Sequence, residues 1–225
     1  MRRNFTTALQ LPMRVWDLPV RLFHWSIVLL IGLSYVSVRN NYMRVHLVSG
    51  FTLLALLLFR IVWGVIGSET ARFSRFLRSP LMALHHLRHF GRREPDSQVG
   101  HNEAGGWMVL VLLLALGVQT GTGLFANDDG ATEGPLAKYV EKATSDWLSG
   151  IHAKSFNVLI GLMALHVLAV VGYAVIKRQN LLRPMITGKK RLPAATPAPR
   201  MASSLLALAI LILAGAAVWI LATKV

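Results

Sequence analysis

The chain has 225 residues, 54% of them hydrophobic, and carries 24 lysines and arginines against 10 acidic residues, a formal net charge of +14. Its mean hydropathy of +0.50 excludes an ordinary soluble domain. With no cysteine it has no disulfide, iron–sulfur cluster, thiolate zinc site or covalently attached c-type haem.

Residues 1–17 are polar and basic, with Arg2, Arg3 and Arg14. The apolar block at 18–38 is too long for the core of a signal peptide and no small-residue cleavage pattern follows it, so it is read as a retained first span. Arg39, Asn40, Asn41 and Arg44 make a short turn, and a second span runs over 45–66. Residues 67–103 are polar and arginine-rich, and 73–90 within them read as an amphipathic helix on the membrane surface. A third span covers 104–126. The loop at 127–149 is acidic, with Asp128, Asp129, Glu133, Glu141 and Asp146. A fourth span covers 150–176, a basic stretch and a Pro/Ala linker follow to Arg200, and a fifth span covers 202–222. Each block has about the 20 residues needed to cross roughly 30 Å of hydrocarbon at about 1.5 Å per residue.

The predicted fold is an all-α integral membrane bundle of four helices with one additional C-terminal transmembrane helix. The segments are a cytoplasmic stretch at 1–17, the bundle at 18–180, a basic and Pro/Ala linker at 181–201 and the fifth helix at 202–225. The N-terminus, the loop after the second span and the linker are all basic, which places them in the cytoplasm. The turn after the first span and the acidic loop then face the other side. This accounts for the charge better than nucleic acid, because no basic stretch interleaves with stacking aromatics.

Four of the eight histidines, His24, His46, His152 and His166, lie in or at the edge of spans. An ionisable residue there is costly and marks a candidate functional site. Singly, each has a plain reading: His24 beside Trp25 as an interface anchor, His46 and His152 meeting headgroups. As a set they fall at two depths. Topology pairs His24 with His166 on the inner side and His46 with His152 on the outer side. His152 and His166 are fourteen residues apart, about 21 Å of rise and nearly four whole turns, so they share a face. Two facing imidazoles at two depths is what two six-coordinate b-type haems need. Arg60, fourteen residues after His46, shares its face at the inner depth and reads either as a partner for a haem propionate or as snorkelling to inner headgroups. Gly32 and Gly50 make room for a macrocycle or for plain helix packing. His85, His86 and His89 have metal-ligand spacing, but a solvated amphipathic face is the better reading, and His101 reads as interfacial.

Val15-Trp16-Asp17 with Arg21 and His24-Trp25, Phe59-Arg60-Ile61-Val62-Trp63-Gly64, Gly100-His101-Asn102, Thr120-Gly121-Thr122-Gly123-Leu124-Phe125, Leu165-His166-Val167 and Arg183-Pro184-Met185-Ile186-Thr187-Gly188 together resemble the prokaryotic cytochrome b561 and nickel-hydrogenase-type cytochrome b family over residues 13–190. The resemblance implies a diheme cytochrome b of the bacterial inner membrane, N-terminus cytoplasmic. Its ligands map onto His24, His46, His152 and His166. It further implies electron transfer between the quinone pool and a periplasmic cytochrome c or an oxidoreductase subunit. A superoxide:ubiquinone oxidoreductase, with Arg39, Arg44 and Lys154 as an anion funnel, and a haem-free membrane anchor are the alternatives. The fifth helix departs from the family pattern; it holds no ligand candidate and is read as docking a partner or a second copy.

Overall fold

The computed structural model describes residues 9–89, 91, 98–130 and 132–224. The sequence's five apolar blocks become five helices long and apolar enough to cross a membrane: α1 (Leu18–Arg39), α2 (Met43–Ile66), α5 (Glu103–Gly123), α6 (Lys142–Val175) and α8 (Ser204–Lys224). Two short helices, α3 (Phe73–Phe76) and α4 (Pro80–Arg88), lie between α2 and α5, and α7 (Leu182–Thr187) follows α6. Two strands, β1 (Gln10–Arg14) and β2 (Lys189–Pro193), pair antiparallel, with Pro12 opposite Arg191. The end of the bundle that carries this pair is the ribbon end; the opposite end, with the acidic loop, is the loop end.

Asp17 starts α1. Its Oδ1 accepts the Val20 amide at 2.7 Å, and Pro19 sits in the first turn, where its missing N–H costs nothing. Its Oδ2 accepts Trp63 Nε1 at 3.0 Å, so one carboxylate caps α1 and ties it to the end of α2. Trp63 is wholly enclosed and Asp17 only 3% exposed. Asn102 caps α5 by accepting the Gly105 amide at 2.7 Å.

The expected surface helix at 73–90 is two pieces. Pro80 opens α4, and the extended backbone at Leu77 and Ser79 separates it from α3, because a proline disfavours helix in the residue before it. The fourth span also differs from expectation: α6 begins at Lys142, not at 150. Its first turns leave the acidic loop and stand as helix, held by Ser145 Oγ donating to the Phe125 carbonyl at 2.6 Å and by the Lys142–Asp146 pair at 2.9 Å. At 34 residues α6 is about 50 Å long, well beyond the hydrocarbon it has to cross.

The basic stretch after α6 and the N-terminal segment are also more ordered than expected, since they form the ribbon. Gly188, at φ +76°, ends α7 in the left-handed conformation that suits glycine. Its carbonyl accepts the amides of Val15 and Trp16 at 2.9 and 3.2 Å. Arg21 Nη1 donates to the Ile186 carbonyl, and Trp25 Nε1 to that of Met185 at 3.2 Å. The Pro/Ala linker is fixed as well. Arg200 exchanges hydrogen bonds with Glu69, and Ser68 Oγ accepts the Ala202 amide at 2.9 Å. The Arg200 amide holds the partly buried Glu69 carboxyl below the usual carboxylate range.

The core joins Val20, Phe23 and Ile31 of α1 to Leu53, Leu57, Phe59 and Trp63 of α2, Leu113 and Leu116 of α5 and Leu159 of α6. α8 adds Ala207, Ile210 and Ala214 against α2. α5 packs along α6, whereas α6 makes only a glancing approach to α1 and α2. Its buried residues are Ser145, Leu159 and Tyr173 alone. A slot therefore runs between α6 and the α1–α2 pair.

Candidate functional site

The four span histidines bridge this slot in two pairs. At the ribbon end, His24 of α1 faces His166 of α6 with ring centroids 6.4 Å apart and planes at 55°. Toward the loop end, His46 of α2 faces His152 of α6 at 6.1 Å and 88°. The antiparallel run of α6 produces both pairings, since its fourteen-residue spacing carries the chain from one depth to the other on one face.

The loop-end pair is oriented from behind. His46 Nδ1 lies 3.1 Å from the Ser34 carbonyl and 3.0 Å from Ser34 Oγ. A carbonyl only accepts, so the proton sits on Nδ1 and the Nε2 lone pair is left free. His152 Nδ1 donates in the same way to the Gln119 carbonyl at 2.8 Å. The Gln119 side-chain amide nitrogen lies 3.2 Å from His152 Nε2, and Ser155 Oγ donates to Gln119 Oε1 at 2.6 Å. Gly123 lets α5 come this close: a Cβ there would stand 2.8 Å from His152 Cε1. In the ribbon-end pair, His24 packs edge-on against Trp25 at 4.9 Å, and its Nδ1 is buried with no hydrogen-bond partner among the described residues.

Arg60 does not snorkel. It is 2% exposed, and its guanidinium lies over the Phe73 ring at 5.1 Å. Its Nη1 is buried and unpartnered among the described residues. Asp17 is a nearby counter-charge, but both its oxygens are committed to Val20 and Trp63.

The slot is bridged by two opposed histidine pairs, with no third metal-binding side chain at either among the described residues. A family model for prokaryotic cytochrome b561 matches residues 15–188, more than three quarters of the chain and all four histidines. The chain belongs to the prokaryotic cytochrome b561 family. A "Probable Ni/Fe-hydrogenase B-type cytochrome subunit" from Bradyrhizobium diazoefficiens is 24% identical over 216 residues, covering 79% of this chain and 85% of the relative. No solved structure matches. The protein is thus a multi-pass membrane cytochrome that transfers electrons, and a b-type cytochrome uses haem b.

Of the remaining histidines of this cytochrome, His86 differs from its expected place. His86 is not a solvated face. Its Nε2 lies 2.6 Å from Tyr173 Oη and its Nδ1 3.4 Å from Glu103, while Asn102 Nδ2 donates to the same hydroxyl at 2.7 Å. The contact docks α4 onto α5 and α6. His85 and His89 stack on each other at 4.3 Å. His101, expected at the interface, is wedged between Trp16 at 4.6 Å and Phe76 at 4.9 Å. Burial, reinforced by the charges of Arg60, His166 and His24, pushes its pKa down to about 3. Gly32 and Gly50 mediate no helix packing, since a Cβ on either would meet nothing within 4 Å. Sequence reasoning missed Ser34, Gln119 and Ser155. Only the family-like Thr120–Phe125 motif pointed to that part of α5.

Proposed function

We propose that the cytochrome holds two haems b, one between His24 and His166 and one between His46 and His152. It would pass electrons across the bilayer between the quinone pool and a periplasmic or membrane-bound redox partner, such as a cytochrome c or an oxidoreductase subunit. The histidine spacing carries the reading. Two metal–imidazole bonds of about 2.0–2.1 Å, plus slightly more than 1 Å from each nitrogen to its ring centre, require roughly 6.3 Å between centroids. The two pairs stand at 6.4 and 6.1 Å.

Bound haem supplies a one-electron iron couple. The protein does the rest. Carbonyls of Ser34 and Gln119 fix the tautomers of His46 and His152 with the proton on Nδ1, which leaves Nε2 as the nitrogen for a metal; at His152 the Gln119 amide, 3.2 Å from Nε2, would have to give way. Arg60 offers a buried positive charge to a propionate, which a low-dielectric site needs. The apolar walls of α1, α2 and α6 keep water out. Basic residues Arg14, Lys189, Lys190 and Arg191 gather at the ribbon end. That end then faces the cytoplasm of a bacterial inner membrane, with the N-terminus inside. A redox enzyme as partner agrees with the hydrogenase subunit named for the relative.

Oxidised and dithionite-reduced spectra of the detergent-purified protein, with a pyridine haemochrome assay, test the reading. Two haems b per chain are expected, falling to one on replacing His24 or His166. No haem, or one haem indifferent to all four histidines, leaves a haem-free membrane anchor in its place.

A further inference from the structure

Besides His24 Nδ1, two buried nitrogens near the inner histidine pair have no hydrogen-bond partner among the described residues: Arg60 Nη1 and His101 Nδ1. They come from separate elements, Arg60 from the last turns of α2 and His101 from the segment that enters α5. Aromatic rings join them. The Arg60 guanidinium lies over Phe73 at 5.1 Å. Phe73 meets Phe76 edge-on at 5.7 Å, and Phe76 packs on His101 at 4.9 Å. Trp16 closes the other side of His101 at 4.6 Å. His101 lies within electrostatic reach of Arg60, His24 and His166.

An unmet buried donor costs about 1–3 kcal/mol; Arg60 Nη1 is one, and His101 Nδ1 is a second in the tautomer that carries the ring's proton there. Among the described residues, the carboxylate that reaches Arg60, Asp17, is spent on the Val20 amide and Trp63 Nε1. A further anionic oxygen fits the charges, since Arg60 is cationic and its counter-charge is held off it.

Resting on the diheme reading, we propose that Arg60 and His101 form a two-sided seat for a carboxylate of the haem between His24 and His166, with His101 the second donor. The seat fixes which way that haem faces in the slot. It also places a carboxylate beside a nitrogen base that burial otherwise keeps neutral. Trp16, Phe73 and Phe76 shield the contact from water, so it is strong for a hydrogen bond to a charged group.

The test compares wild type, His101→Phe, His101→Gln and Arg60→Met as purified two-haem protein. Phenylalanine keeps the ring packing and removes the nitrogen; glutamine returns a donor. Each protein is assayed for haem content, redox-titrated with and without added ubiquinone, and examined for its propionate bending bands by resonance Raman spectroscopy. The expected result for His101→Phe is a shifted propionate band, a lower midpoint potential for the inner haem alone, and roughly tenfold or greater loss of inner-haem retention. His101→Gln restores the band, and Arg60→Met moves the same band. Two haems with an unmoved propionate band and unmoved potentials in His101→Phe overturn the seat while leaving the diheme reading intact. Shifts that arise only with added ubiquinone overturn it in favour of a quinone oxygen. Wild type without a His24- and His166-dependent haem overturns the underlying reading instead.

Discussion

Gly123 is the residue on which the outer pair turns most sharply. A methyl group there would stand 2.8 Å from His152 Cε1 and 3.1 Å from its Nδ1, inside van der Waals contact, and the ring is already tied to Gln119. The Gly123→Ala change must push His152 off the Gln119 carbonyl or move α5, at a cost of roughly 1–3 kcal/mol. On the proposed two-haem reading, the expected outcome is a protein with one haem in place of two, the one between His24 and His166 kept, as read by pyridine haemochrome and by the redox titration. Asp17 shows the same economy by different chemistry: one carboxylate caps α1, accepts Trp63 and sets a negative charge near Arg60. Its capping role was open to a sequence reader, because Asp-Leu-Pro before an apolar run is a helix start. Its bond to Trp63 spans 46 residues and had no local signal.

At the scale of elements, α4 and α8 are held by quite different means. α4 is short, and its exposed Leu81, Met82, Leu84 and Leu87 suit a membrane surface. The His86–Tyr173–Asn102 contact pins it to α5 and α6. Changing His86 to Ala removes one hydrogen bond and the Glu103 pairing, worth about 1 kcal/mol where both partners stay partly exposed. Amide exchange over 80–88 should quicken several-fold while exchange over 103–123 stays as in wild type. α8 carries Ala207, Ile210, Ala214 and Val218 on its buried stripe, at helical spacing with small residues where α2 approaches. It contributes none of the four histidines. A chain ending at Ala202 should therefore keep both haems and their spectrum, with a lowered thermal midpoint in detergent as the α2 face is exposed. Loss of haem on this truncation would make α8 part of the haem bundle.

For the whole molecule the governing asymmetry is charge. The ribbon end gathers Arg14, Arg21, Lys189, Lys190 and Arg191, and the loop end gathers Asp128, Asp129, Glu133 and Asp146. Because the chain has no cysteine, orientation can be read with single introduced thiols. An exposed residue at each end serves: Ala195 in the linker and Lys138 in the acidic loop. With the ribbon end inside, Lys138→Cys should label with a membrane-impermeant maleimide in intact cells, and Ala195→Cys only after the membrane is opened. The reverse pattern would invert the orientation and exchange the inner and outer haems. An open cleft of about 360 Å³ at the loop end, between Glu133–Lys138 and the last residues of α8, has none of the four histidines in its lining.

The sequence by itself determined the spans, because the hydrocarbon sets their length, and it determined the histidine pairing, because a chain crossing repeatedly in alternate directions fixes which residues share a depth. Arg60 at the inner depth followed from the same fourteen-residue arithmetic. Only the tertiary structure decided what surrounds those groups. The slot exists because α6 packs on α5 and stands off α1 and α2. The ribbon pairs strands about 180 residues apart. The carbonyls behind His46 and His152 belong to other helices. The eight residues that extended α6 read as loop because they are polar, and they are helical because their side chains are tied to the preceding loop. Hydropathy and periodicity are properties of one segment at a time, whereas hydrogen-bond partners and orphaned nitrogens are properties of segments brought together. For that reason the contacts of His101 with Trp16 and Phe76 had no signal in the sequence.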